Sequence, residues 1–343
     1  MCIDSGRHRL PQEQIGGFLY ALTSIFSVAK LQGRKQFANF TLHRGKPHFL
    51  ININFNQILH DMKSKFLLSA ALLLCCGSMM AQPVSVSEPQ LLIKSSESLM
   101  APVWSPDGTM IAVTGDNYSG IWVANADGTG LRQVSNAQGA GYKMQWSDAG
   151  SITSTPYVTV DQRRMTRVES VNVATGVARV LQPAAREVKR SRVMRHGQQS
   201  LLSIMVDDPL HASERIPALN QYAGQGIINP ALSPDEKQIA FQIAGKGIFV
   251  INTDGTAPKR ICAGARPAWM PDGKALVVTR LEDNGHTFTA GDLYYVSTEN
   301  SAQLNITPGT QAIPTSLAVS PDGKKVAFGN DVDGCIYLID LKF

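Results

Sequence analysis

The chain has 343 residues, 43% of them apolar and 17% charged, with a net charge of +5. This is a globular composition, and it excludes a disordered or low-complexity protein. Of the 32 Lys and Arg and 27 Asp and Glu, nine and three fall in residues 1–81, which leaves 23 basic and 24 acidic residues in 82–343; the charge therefore gives no support to a nucleic-acid partner.

Residues 1–61 carry one weak apolar run, Ile15 to Ala29, and no regular rhythm of turns and strands. Met62-Lys63-Ser64-Lys65 then opens an apolar stretch from Phe66 to Cys76, followed by Gly77-Ser78-Met79-Met80-Ala81. A basic start, a short greasy centre and a small residue at the end make a secretory signal peptide, cut after Ala81. The centre is 11 residues long, too short for a bilayer, which needs about 20. The expectation is therefore that 1–61 is upstream sequence read in frame, that 62–81 is an export signal, and that the mature chain is periplasmic or secreted, with no stable membrane span. Cys75 and Cys76 follow bulky residues, which disfavours a lipoprotein anchor. Cys262 and Cys335 remain after cleavage, and both are expected to be buried, unpaired thiols on strands of non-adjacent repeats.

From residue 90 onward one turn recurs. Trp104-Ser105-Pro106-Asp107-Gly108 is followed by Leu232-Ser233-Pro234-Asp235-Glu236, Trp269-Met270-Pro271-Asp272-Gly273 and Val319-Ser320-Pro321-Asp322-Gly323. Trp146-Ser147-Asp148-Ala149-Gly150 has lost its proline. Proline fixes φ for the second turn position, aspartate caps the turn with its carboxylate, and glycine takes the positive φ that follows. A short apolar strand comes next in the four proline-bearing copies: Met110–Val113, Ile239–Phe241, Leu276–Val278 and Val326–Phe328. A second run follows each, at Ile121–Val123, Ile248–Ile251, Leu293–Val296 and Ile336–Ile339. Tight Asp-Gly hairpins come after two of these, at Asp127-Gly128 and Asp254-Gly255.

The gap between Asp148 and Asp235 is about twice the other spacings, which implies a hidden unit at 185–225 with strands at Val193-Met194 and Leu201–Val206. Six units of about 44 residues give the period of a β-propeller blade. The predicted fold is all-β: a six-bladed β-propeller of four-stranded antiparallel blades over 82–343. Its last blade is closed by an N-terminal strand, Gln90–Lys94, because the final unit has no room for an outer strand. The turn, the strand after it, the Ile-Trp-Val or Ile-Phe-Val strand and the Asp-Gly hairpin together resemble the TolB-type, WD-like propeller repeat. The resemblance implies an envelope or secreted protein that binds other macromolecules. TolB-type proteins carry an α/β domain ahead of the propeller, whereas here about 20 residues separate the cut from the first blade, so a translocation role does not carry over.

Chemistry is sparse. There is no Gly-x-Ser-x-Gly elbow, phosphate loop or His-Glu-x-x-His helix. No catalytic residue, metal or cofactor is predicted. His196, His211 and His286 read as surface or turn residues, and Asp331-Val332-Asp333-Gly334 as a polar hairpin loop instead of a calcium loop. The motif residues Trp104, Pro106, Asp107, Gly108, Pro234, Asp235, Trp269, Pro271, Asp272, Gly273, Pro321, Asp322 and Gly323 read as structural. The face opposite the short turns carries irregular loops at Asp116–Gly120, Asp161–Arg164, Glu282–Gly291 and Asn330–Gly334, and binding on rigid scaffolds concentrates in such loops. Lys143, Arg163, Arg164, Asn229, Arg266, Asp283 and His286 are the predicted binding residues. Asn229 and Arg266 are expected at the mouth of the central channel with Lys143 beside them, and a cationic patch at 163–195 is expected to meet an acidic partner or polysaccharide. The predicted function is a monomeric, exported binding module for protein or, less directly, polysaccharide. The alternative is a polysaccharide lyase or hydrolase that uses channel residues.

Overall fold

The structure is a computed structural model, and it describes residues 83, 85–186, 188, 194–195 and 198–343. The expected upstream segment, the export signal, Val193 and His196 lie outside these residues. Two short strands come first, β1 (Ser85–Val86) and β2 (Gln90–Ile93). The first sheet is β3 (Leu99–Trp104), β4 (Met110–Gly115), β5 (Ile121–Asn125) and β6 (Arg132–Ser135). The second is β7 (Gln145–Asp148), β8 (Ser151–Ser154), β9 (Tyr157–Val160), β10 (Arg163–Asn172) and β11 (Ala178–Ala185). A two-strand hairpin, β12 (Met194–Arg195) and β13 (Gln198–Gln199), leads into helix α1 (Leu201–Asp207), helix α2 (Ala212–Arg215) and a 3-10 turn at Pro217–Tyr222. The third sheet is β14 (Ile227–Leu232), β15 (Gln238–Ile243), β16 (Gly247–Asn252) and β17 (Lys259–Cys262). The fourth is β18 (Ala265–Trp269), β19 (Ala275–Asp283), β20 (Phe288–Ser297) and β21 (Gln303–Asn305). The fifth is β22 (Pro314–Val319), β23 (Lys325–Asn330) and β24 (Ile336–Lys342).

All pairings within these sheets are antiparallel, and the sheets form a β-propeller. The first strands of neighbouring sheets, such as β22 with β3 and β14 with β18, pack on each other and so lie innermost. The expected closing strand is present: β2 pairs with β24, Gln90 opposite Leu338, and β1 extends the same edge with Ser85 opposite Lys342. Ile93 is 2% exposed, which makes this strand part of the core.

The count of blades differs from expectation. Five sheets of four or five strands stand among the described residues, not six. Leu201–Val206, read from sequence as a strand, lies in helix α1. The cause is local: Ser200 caps the helix by accepting the N–H of Ser203, and no Pro-Asp-Gly turn is present to reverse the chain. Met205, Ala212, Ile216 and Leu219 then pack on Ile227, Phe241 and Phe249 of the third sheet. Glu282–Gly291 also departs from its predicted irregularity, because β19 and β20 pair out to Asp283 and Phe288 as one long hairpin. Cys262 and Cys335 are buried and unpaired, as expected.

Repeated contacts join the sheets. The indole N–H of Trp104 donates to the carbonyl of Ala318, that of Trp146 to Val103 and that of Trp269 to Ala231. Each tryptophan therefore reaches the innermost strand of the sheet behind it. On the turn face, a Cβ placed on Gly108 would sit 3.6 Å from Pro321, on Gly273 3.9 Å from Pro234, and on Gly323 3.2 Å from Pro271. These glycines have φ between 70° and 72°, so the motif glycine answers both a backbone and a packing demand.

Candidate binding face

The short turns lie at one end of the sheets, and the longer loops and the starts of the innermost strands lie at the other. At that loop end one backbone irregularity recurs. Ala101, Lys143, Asn229 and Arg266 all have φ between 51° and 53°, each three residues before the tryptophan or leucine of its turn motif. Register shifts bracket three of them, between Met100 and Val103, Ile228 and Ala231, and Ala265 and Ala268. These are β-bulges, which bend a strand and re-aim a side chain. A lysine or arginine in the left-handed region is strained by about 1 kcal/mol or more, so the fold imposes the conformation on whatever residue stands there. In the fifth sheet the matching residue, Ser316, accepts the N–H of Ala101 through its hydroxyl. This bond ties two neighbouring positions of the ring together.

The predicted residues fall in two groups. Lys143, Asn229 and Arg266 share this position and are exposed. Asn229 donates from its amide to Gln242 at 3.4 Å. Arg163 and Arg164 lie on β10, paired with β9 just after the tight turn at Asp161-Gln162, so Asp161–Arg164 is a regular hairpin and not the predicted irregular loop. Asp283 and His286 are exposed at the tip of the β19–β20 hairpin, where Asp283 caps Gly285 and the amide of His286 donates to Asn284.

The corner between the first and second sheets holds residues that the sequence did not single out. The Arg164 guanidinium stacks 3.4 Å from the ring centre of Tyr157. A Cβ on Gly139 would clash with the same ring at 2.5 Å, so glycine is needed beneath it. The Lys143 ammonium lies 5.5 Å from the Tyr142 ring, which meets Tyr118 edge-on at 5.0 Å. Backbone bonds from Gly120 to Ala137, Gly141 to Tyr118 and Tyr157 to Gln138 brace the three loops. Acidic groups in these loops are Asp116 and Asp161, while the buried Glu169 pairs with Arg167. The sequence signal for this corner was the repeated appearance of Tyr in loops rich in Gly, Asn and Gln.

The Asn330–Gly334 loop is held by its own side chains and by backbone bonds with Ile313 and Leu99. Asp333 accepts from Asn330 and Cys335 through one oxygen and from the Tyr337 hydroxyl through the other. Burial opposes ionisation of Asp333, but these bonds outweigh it and keep its carboxyl below the ordinary value. The bond to Asp333 pushes the Tyr337 phenol up to about 12. His211 is exposed and bonds Asp208 at 2.9 Å. Among the described residues no group of three or more His, Cys, Asp or Glu is placed to hold a metal ion, and no helix is long and apolar enough to cross a membrane.

No protein-family model and no curated protein matches the chain. Solved structures of similar fold include an oligogalacturonate lyase from Vibrio parahaemolyticus, at 12% identity and TM-score 0.38, covering 70% of this chain and 76% of that one. An oligogalacturonate lyase in complex with manganese matches at 14% identity and TM-score 0.36, covering 76% and 95%. A chain of a mitotic checkpoint complex matches at 14% identity and TM-score 0.44, covering 78% and 94%.

Proposed function

We propose that this propeller is a non-catalytic binding module of TolB-type repeats, exported after cleavage at Ala81 and monomeric, which takes an acidic protein partner on its loop face. The observation that carries this reading is the shared backbone of Lys143, Asn229 and Arg266, set at one position of three repeats. A fold that imposes the same strained geometry on three exposed polar residues holds them in fixed relation, and fixed donors lose less entropy on binding than free ones. Arg163 and Arg164 add cations at the start of β10, with Arg164 held on Tyr157. Cationic faces of this kind speed and select encounters with acidic partners.

The test is a pull-down from envelope extract with the exported chain and with a Lys143→Glu/Arg266→Glu variant. A protein retained by the first, released by moderate salt and lost with the second is the expected result. If retention is equal, the loop face is not the binding surface. The competing reading is a polysaccharide lyase or hydrolase worked from the channel mouth. It predicts turnover of an acidic polysaccharide such as polygalacturonate, and N-terminal sequencing of the exported form tests the cleavage site.

A further inference from the structure

Two arginines lie flat on tyrosines, one in the second sheet and one in the fourth. Arg164 pairs across to Thr159 and Thr166 to Tyr157, so Arg164 and Tyr157 are diagonal neighbours on one face of the β9–β10 hairpin. Arg280 pairs with Asp292 and Val278 with Tyr294, which makes Arg280 and Tyr294 diagonal neighbours on β19 and β20. The guanidinium carbons stand 3.4 Å and 3.8 Å from the two ring centres. At that separation an N–H aimed at the ring would collide with it. Each guanidinium therefore lies along its ring, and its N–H groups point sideways.

The two forks differ in what they hold. Arg280 donates from Nε to the carbonyl of Ala263 and from a terminal nitrogen to the side chain of Gln303, so its stack is a structural fitting. Other arginines are fastened in the same manner, Arg260 to the carbonyl of Lys246 and Arg167 to Glu169. Arg164 is exposed, and among the described residues its guanidinium meets only the Tyr157 ring. The seat beneath it is nonetheless built. The amide of Tyr157 donates to the carbonyl of Gln138, and Gly139, with φ 72°, comes so near the ring that a Cβ would stand 2.5 Å from it. Such a stack fixes the plane of the fork in advance, so less freedom is lost when its donors are taken up. Strand alternation puts the neighbouring Arg163 on the opposite face of the hairpin.

We infer that Arg164, seated on Tyr157, is the receptor for one carboxylate of the acidic partner: an aspartate or glutamate side chain that takes two parallel N–H···O bonds from the edge of the guanidinium. The inference rests on the loop-face reading above and makes it specific. Lys143 and Arg163 act as charges that draw the partner in, whereas Arg164 fixes its register by shape. A lysine at 164 would supply the charge without the planar fork.

Fluorescence anisotropy of the exported chain with a labelled oligoglutamate peptide tests the inference. Arg164→Lys is expected to weaken binding about tenfold, with an unchanged dependence on salt and an unchanged urea midpoint, because the charge is kept and the fork is lost. Arg163→Lys is expected to change binding by less than about twofold, and Arg280→Lys to lower the urea midpoint and leave binding as it was. If Arg164→Lys binds like the unaltered chain while Lys143→Glu/Arg266→Glu does not, the loop face stands and the carboxylate seat is overturned. If neither variant changes binding, or the unaltered chain does not bind the peptide, the seat and the loop-face reading fall together. Binding of polygalacturonate through Arg164 without binding of oligoglutamate also overturns the inference, in favour of an acidic sugar.

Discussion

Three of the motif aspartates act through hydroxyls. Asp107 accepts from the Ser105 hydroxyl at 2.6 Å and from the amide of Thr109, while Ser105 accepts from the amide of Met110. The same pattern is built on Ser233 with Asp235 and on Ser320 with Asp322. The serine bond, as the largest influence, holds all three carboxyls below their usual 3.8. As pH falls through 3.8 the unfolded chain takes up these protons first, so the contribution is complete above that value and is lost as pH drops through the lower folded values. Urea melts from pH about 5 down to about 2 should show this decline, and Asp322→Asn should make it shallower. Glu236 is the exception to the motif, with φ 58° where Gly108, Gly273 and Gly323 stand in the other sheets. Glu236→Gly should raise stability by up to about 1 kcal/mol in a urea melt. Both effects were legible in the sequence, because Ser-Pro-Asp-Gly states a turn type. The left-handed Lys143 and Arg266 were not, since neither residue type favours that conformation and the bulge comes from the packing of neighbouring strands.

The recurring tryptophan belongs to the joint between sheets more than to its own sheet. Trp269 is 8% exposed and bonds Ala231 at 2.9 Å. Trp269→Phe keeps most of the apolar surface and strands that carbonyl, so it should cost about 1–3 kcal/mol in chemical denaturation. The reading of the elements succeeded wherever this turn preceded an apolar strand. It failed at Leu201–Val206, where five apolar residues and Ser203 fit a buried strand or a short helix equally well by period alone, and the Ser200 cap decided the matter. It failed differently at Glu282–Gly291: a hairpin that projects beyond the sheet needs no apolar face, so Glu282 and Asp283 gave no strand signal. Tyr118 and Tyr142 escaped notice because they meet from separate loops, and Tyr157 because its partner Arg164 comes from the paired strand.

At the scale of the ring, closure depends on residues far apart in the chain. Ile93 enters the core beside Leu99, Ile336 and Leu338. Ile93→Ala should lower the unfolding free energy by about 2–4 kcal/mol, read as an earlier midpoint in thermal or urea melts. Closure by an early strand was legible, because Gln90–Lys94 is an apolar run that belongs to no turn repeat, and it pairs with β24. The sixth unit was not: a spacing of twice the period states how much chain is present and says nothing about whether it pairs. In the first and fourth sheets the motif tryptophan and glycine both face backward, onto the carbonyl and the proline of the sheet behind. A unit copied in tandem therefore carries both a plug and a socket, and it fits its own parent without any new interface being invented. Growth or loss of whole units is the cheapest change open to such an ancestor, and single-residue drift at the couplings the most costly.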